Sequence, residues 1–285
     1  MIQSMTGYGK AVTVLPRKKI TVEIKTLNSK NLDLNVRMPV YYKEKELKIR
    51  TKLSKKLIRG KVDFSIFIES TGVETTTSIN KEVVNNYIDQ LRSIAVTAPE
   101  NSLEIAMRLP DVLKNVREEL DEDEWSSIKE IIDEAIEKVI QFREDEGRVL
   151  EQDFTNRVQA LQQLSEQVAG LDKERILKVR ERLEKAIIEL KQTVDENRFE
   201  QELIYYLEKL DITEEKVRLN NHLDYFLKEL NGEESNGKKL GFIGQEIGRE
   251  INTTGSKSNY APMQQVVVQM KDELEKIKEQ LLNVL

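Results

Sequence analysis

The sequence predicts an α+β fold: a small N-terminal mixed strand/helix domain followed by a long-helix, all-α C-terminal region with an antiparallel helical hairpin. Three observations carry that reading. Apolar residues alternate with polar ones through most of residues 2–69, the period of a half-buried strand. From about residue 80 the period lengthens to three and four, that of helices with one apolar stripe. Charge divides at almost the same place: residues 1–70 hold 16 Lys+Arg against 6 Asp+Glu, and residues 71–285 hold 29 against 45.

The first strand opens in Ser4-Met5-Thr6-Gly7-Tyr8-Gly9. Met5, Gly7, Gly9 and Ala11 share one face; Thr6, Tyr8 and Lys10 share the other. Two glycines on one strand face mark a close approach by another backbone, here expected from a neighbouring subunit or a sheet partner. Ile20-Thr21-Val22-Glu23-Ile24 and Leu32-Asp33-Leu34-Asn35-Val36 alternate as the next two strands, with Pro16 and Asn28-Ser29 at the turns and Pro39 after them. Residues 43–58 read as a helix carrying seven lysines and arginines, stopped by Gly60. Residues 61–69 alternate again, with Val62, Phe64, Ile66 and Ile68 on one face. A Thr-rich linker over 71–80 follows. Asn80 caps a helix to about Ala95, and Pro99 and Pro110 interrupt the acidic stretch 98–122.

Leu150, Phe154, Val158, Leu161, Leu164 and Val168 then form one stripe, and Ile176, Val179, Leu183, Ile187, Leu190 and Val194 a second, with Gly170 as the expected turn between them. The narrow stripes read as packing seams close to those of a coiled coil. Further helices are expected after Asn197, over 215–230 and over 238–251, with a non-helical polar loop at 252–259 and a last helix from about Ala261. The expected organisation is an N-terminal domain over 1–150, the hairpin over 151–196 and a C-terminal helical domain over 197–285.

Composition removes several chemistries. The chain has no cysteine and one histidine, so disulfides, thiol nucleophiles and Cys-ligated zinc are excluded. No P-loop or dinucleotide fingerprint occurs. No apolar run approaches the roughly 20 residues of a membrane helix, and no apolar leader opens the chain, so a cytoplasmic location is expected. The basic N-terminal block suits a phosphate-bearing partner, or equally an acidic neighbouring subunit.

What remains for chemistry is carboxylates, one imidazole and amides. On the 238–251 helix, Glu246 and Glu250 lie one turn apart on one flank of the apolar stripe, with Arg249 beside them. His222 flanks the stripe of the preceding helix. Packing those helices together would bring His222 near Glu246 and Glu250, a donor set suited to Mn²⁺ or Mg²⁺. The same residues also fit an ordinary ion-paired border. The run Asn252 to Asn259, with Ser256 and Lys257, offers hydroxyls and an ammonium to phosphate oxygens, or serves as a plain connection.

The opening Ser4-Met5-Thr6-Gly7-Tyr8-Gly9 resembles the N-terminal signature of the YicC/YloC family of bacterial endoribonucleases. So do Val22-Glu23-Ile24-Lys25 with Asn28, Leu32-Asp33 and Arg37, then Arg59-Gly60-Lys61, then Arg143-Glu144 with Glu146-Gly147. Leu210 to Glu215 followed by Arg218-Leu219 and His222-Leu223 belong to the same pattern, as do Gln245-Glu246, Arg249-Glu250, Asn252-Thr253 and Gly255-Ser256-Lys257-Ser258. Gly241, Gly244 and Gly248 depart from it, standing where the family usually carries Asp or larger side chains.

The resemblance implies metal-dependent cleavage of single-stranded RNA, in bacterial RNA turnover, by a ring-like homo-oligomer, expected to be a hexamer. It implies His222, Glu246 and Glu250 in metal or acid/base roles, with Arg249 and Lys257 neutralising phosphate. Thr6, Tyr8, Lys10, Lys25, Asn28, Lys30, Arg37, Arg59, Lys61, Asn252 and Ser256 would contact RNA. A metal-free route, in which the RNA 2′-OH attacks with His222 as base, stays open. So do a non-catalytic RNA-binding adaptor that recruits other RNA-decay proteins and a structural coiled-coil oligomer.

Overall fold

A computed structural model describes the chain except residues 1, 17, 72–76, 95–98, 116–121, 190–195 and 233–234. The centre of the expected Thr-rich linker, the end of the helix capped by Asn80, and Leu190 and Val194 of the second stripe therefore lie outside the described residues.

The fold is α+β. Strands β1 (Gly7–Leu15), β2 (Lys18–Leu27), β3 (Leu32–Arg37) and β4 (Gly60–Ser70) form one sheet in the order β1-β2-β4-β3. β3 and β4 are parallel, joined by a 3-10 turn and the basic helix α1 (Glu46–Leu57); the other pairs are antiparallel. β5 (Thr77–Ile79) and β6 (Leu113–Asn115) pair beside two short helices, α2 (Lys81–Ile94) and α3 (Pro99–Ala106), over a small core of Val84, Ala106 and Val112. Then come α4 (Glu122–Glu189), α5 (Glu196–Lys209), α6 (Thr213–Leu230), α7 (Gly237–Lys257) and α8 (Ala261–Leu281).

One helix unites the two main cores. Trp125, Ile128, Ile132, Ala135 and Val139 of α4 pack on the inner face of the sheet with Ile20, Val22, Phe64 and Leu53. Farther along the same helix, Phe154, Val158, Leu161 and Leu164 pack with α6, α7 and α8. At 1.5 Å per residue, its 68 residues span about 100 Å. Position 150 therefore falls inside a continuous helix.

Gly170 does not turn the chain. It lies inside α4, because tertiary packing on both sides carries the helix through one exposed glycine. Beyond residues 190–195, Glu200 of α5 comes to 3.5 Å from Arg180 of α4. A Cβ at Gly170 would meet no atom within 4 Å. Gly170→Ala is accordingly expected to raise unfolding stability by about 1 kcal/mol, read as a higher urea midpoint at unchanged m-value.

The polar run after Ile251 is helical as well: α7 continues to Lys257. Thr253 donates its hydroxyl to Arg249 O, Ser256 to Thr253 O and Ser258 to Thr254 O. These bonds to the preceding turn satisfy the hydroxyls within the helix, while buried Ile251 and Thr254 anchor it. The glycines Gly244 and Gly248 face α8. A Cβ at Gly248 would sit 3.1 Å from a Leu274 methyl, so small residues let α7 and α8 approach.

The backbone that approaches the bare glycine face is α4 of the same chain. A Cβ on Gly9 would lie far inside contact distance of Ala135 O and 2.8 Å from Val139 Cγ2. The preceding residues are clamped from two sides. Met5 N donates to Asn283 O (2.7 Å) and Ser4 N to Arg143 O (3.0 Å), while Leu285 N donates to Gln3 O (2.9 Å). Arg143 is buried and donates to Leu57 O, Met5 O and Arg59 O, with no carboxylate partner among the described residues. Burial pushes its pKa down to about 10, still charged at neutral pH, so three carbonyl dipoles hold a cation where α1 ends and β4 begins.

Candidate functional site

α6 and α7 pack antiparallel, and two ion pairs fix their register. Lys257 Nζ meets Glu215 Oε1 at 2.7 Å at one end, and Lys239 Nζ meets Glu229 Oε2 at 2.7 Å at the other. Between those rungs, residue 222 stands level with residue 248, flanked by Glu246 and Glu250. The helix-wheel placement of His222 beside the two glutamates thus has its counterpart in the register.

The three residues differ in surroundings. Glu250 is 5% exposed, yet no hydrogen bond or ion pair to a described residue holds its carboxylate. Thr254, one turn on, is buried with an unpartnered hydroxyl, and Glu215 keeps a buried, unpartnered Oε2. Buried polar groups are normally paired, so Thr254 Oγ1 and Glu215 Oε2, with the solvent-reaching carboxylate of Glu250 on the same seam, make a polar strip with capacity for a ligand. His222 is half-buried and makes no hydrogen bond to a described residue. Glu246 is exposed and 3.8 Å from Arg249, itself exposed. Among the described residues, no three His, Asp or Glu side chains form a cluster able to hold a metal ion by themselves.

The C-terminal end of α7 is pinned by charge. Arg175 donates to Lys257 O (3.1 Å) and, through Nε and Nη2, to Asp172 Oδ1 (2.9 and 2.7 Å). Lys216 completes the set on Asp172 Oδ2 at 2.9 Å. Lys257 also donates to Asp211 O, so its ammonium binds this network rather than standing free for phosphate. Asp211 accepts from the Thr213 hydroxyl and N–H at the start of α6, and the hydroxyl bond chiefly holds its pKa below the ordinary value. Asn252 is exposed on α7, and Ser256 is occupied by its bond to Thr253 O.

The N-terminal set divides in two. Tyr8, Lys10 and Lys25 lie on the outer sheet face, which no other described element covers. Lys10 reaches Glu23 at 3.2 Å, and Lys25 Nζ stands 5.8 Å from the Tyr8 ring centre. Arg37 and Lys61 are exposed on the same face, and Lys30 is exposed in the loop before β3. Three others serve the frame. Thr6 donates its hydroxyl to Glu146 of α4, Asn28 Nδ2 donates to Leu282 O (2.6 Å), and Arg59 Nε donates to Ser29 O (2.9 Å). No hydrogen bond or ion pair among the described residues joins the outer sheet face to α6 or α7, so the chain offers two separate polar surfaces.

The comparisons with known proteins match this layout. Residues 2–152 fit the family model described as "Endoribonuclease YicC-like, N-terminal region", and residues 168–285 fit "Endoribonuclease YicC-like, C-terminal". The chain belongs to the YicC-like endoribonuclease family. Two curated relatives match over all of this chain and all of their own length. Both are named "Probable endoribonuclease YicC": one from Clostridioides difficile at 33% identity, the other from Haemophilus influenzae at 28%. The names are those of RNA-cleaving enzymes, and the two matched regions correspond to the sheet-bearing and α6–α8 cores. No helix of the described residues is long and apolar enough to cross a membrane.

The sequence reading gave Thr254 and Glu215 no separate role within the 252–259 run and the 210–215 motif, and it did not reach the Asp172–Arg175–Lys216 network. Their types and spacing look like an ordinary charged surface; only the meeting of α4, α6 and α7 buries them.

Proposed function

We propose that this protein is an endoribonuclease that cuts single-stranded RNA at the α6–α7 seam, working as a ring-like homo-oligomer, a hexamer by family resemblance. The observation that carries the site is Glu250: a residue only 5% exposed whose carboxylate reaches solvent and has no partner among the described residues, level with a histidine whose ring likewise has none among them. Unpaired polar groups of this kind persist where function requires them.

His222, the chain's one histidine, takes the proton from the attacking oxygen, the RNA 2′-OH or a water, as a positioned general base. Glu250 orients that imidazole and offsets its charge. Arg249, exposed at the surface, supplies positive charge to the phosphate. The exposed Lys25, Arg37 and Lys61 of the outer sheet hold the strand at a distance from the cut. Glu250 and Glu246 also fit a divalent ion shared with an RNA phosphate oxygen, because Mg²⁺ commonly takes only one or two protein carboxylates. When bound, such an ion lowers the pKa of a coordinated water and neutralises charge on the phosphate. Exposed Leu177, Ile188, Ile204, Tyr205 and Tyr206 on the end of α4 and on α5 support assembly through that arm.

Product ends test the reading. Pure protein is incubated with an end-labelled RNA of about 25 nucleotides, a length that reaches beyond a single binding groove, in Mn²⁺, Mg²⁺ or EDTA. Cleavage leaving a 2′,3′-cyclic phosphate and persisting in EDTA assigns the 2′-OH route. Cleavage leaving a 3′-OH and lost in EDTA assigns the metal route. RNA that is bound but intact in every condition contradicts the enzyme reading and supports an adaptor.

A further inference from the structure

Two aromatic rings stand outside the cores near the start of α7. Phe242 is 57% exposed and Tyr225 40% exposed. Each carries an ammonium over its ring: Lys238 Nζ lies 6.0 Å from the centre of Phe242, and Lys239 Nζ 5.4 Å from that of Tyr225. Lys239 is shared with Glu229, whereas Lys238 has no ion pair with a described residue. On its helix each ring lies about one turn from the proposed chemistry, Phe242 before Glu246 on α7 and Tyr225 after His222 on α6.

We infer that Phe242 and Tyr225 form a base-stacking subsite that takes unpaired nucleotides next to the cleaved phosphate, with Lys238 and Lys239 moving from the rings to the flanking phosphates. The inference rests on reading the α6–α7 seam as the cutting site. An exposed ring face accepts any base that is free to leave its stack, whereas a duplex keeps its base faces covered, so the pair of rings selects single strands. An exposed cation–ring contact is weak, so an incoming base displaces the lysine readily. The surroundings favour a nucleic acid over a protein: among the described residues, the outward side of α7 continues as the polar Gln245, Glu246 and Arg249.

The test places a reporter in the subsite. The chain has a single tryptophan, Trp125, and it is buried, so Phe242→Trp adds the one exposed indole. With Glu250→Gln added to keep RNA whole, the variant is titrated with a twelve-nucleotide oligouridylate and, separately, with a blunt RNA duplex of about the same length. The expected result is saturable quenching by the single strand and none by the duplex. Phe242→Leu and Tyr225→Leu are each expected to weaken single-strand binding about tenfold. An indole unquenched while RNA is bound, or leucine variants that bind as wild type, overturns the subsite. The enzyme reading is tested apart from it. Normal affinity in Phe242→Leu alongside lost cleavage in Glu250→Gln removes the subsite and keeps the enzyme. Quenching by an RNA that wild type never cuts keeps the subsite and removes the enzyme.

Discussion

Glu250→Gln is expected to lower RNA cleavage at least 100-fold while RNA affinity holds and thermal stability stays level. The three readouts belong together. Glutamine keeps the shape of the side chain but loses its charge and its capacity to take or orient a proton, and positioned acid–base groups contribute roughly 10²–10⁴ in rate. A carboxylate kept for structure would have partners, and its loss would lower the melting temperature. Glu250 has none among the described residues, so removing its charge breaks no ion pair or hydrogen bond to them. Glu215→Gln supplies the contrast. That carboxylate binds Lys257 at 2.7 Å and pins the end of α7, so its loss is expected to lower stability by about 1–3 kcal/mol, the range for a partly buried charged hydrogen bond. Parallel measurement of cleavage rate, affinity and melting temperature on the two variants checks both expectations.

Gly9→Ala is expected to have the largest effect on the fold, costing more than about 3 kcal/mol, in the range of severe overpacking. The added methyl points at the backbone oxygen of Ala135 and at Val139, and a backbone atom cannot turn aside as a side-chain tip can. β1 would have to separate from α4, exposing Ala11, Ile136 and Val139 of the N-terminal core. The check is the urea unfolding midpoint, with Gly170→Ala as the opposite case: the same substitution in a helix, into open space.

These two glycines show how far the sequence could be read. The pair Gly7 and Gly9 on one strand face announced a close approach, because few other causes put bare positions on a strand. The identity of the approaching backbone was not legible, since it depends on α4 running more than a hundred residues later in the chain. Gly170 misled for the complementary reason. A glycine's cost is local, but whether a helix survives it is decided by packing on either side. The Ser/Thr run after Ile251 was misread because the hydroxyls of Thr253, Ser256 and Ser258 bond to the preceding turn of the helix just as well as they would in a loop.

For the site, periodicity alone put Glu246, Glu250 and His222 on facing flanks, and the two ion-pair rungs place them level. Thr6, Asn28 and Arg59 have donor chemistry suited to RNA, yet each spends it on the protein's own frame. Residue type names a capacity; only the surrounding chain shows whether it is already used. The motif Arg143-Glu144 with Glu146-Gly147 belongs to that frame as well, holding residues 2–6 against α4 through Arg143 and Glu146.

The claim that α6 and α7 form one active site is tested most directly by a double-variant cycle. Single-turnover cleavage of the same RNA is measured for His222→Ala, Glu250→Gln and the two together. Residues that act as one unit are strongly non-additive, so the double variant is expected to cut no more than a few-fold slower than the slower single variant. Losses that multiply, or either single variant cutting at the wild-type rate, would contradict the shared site.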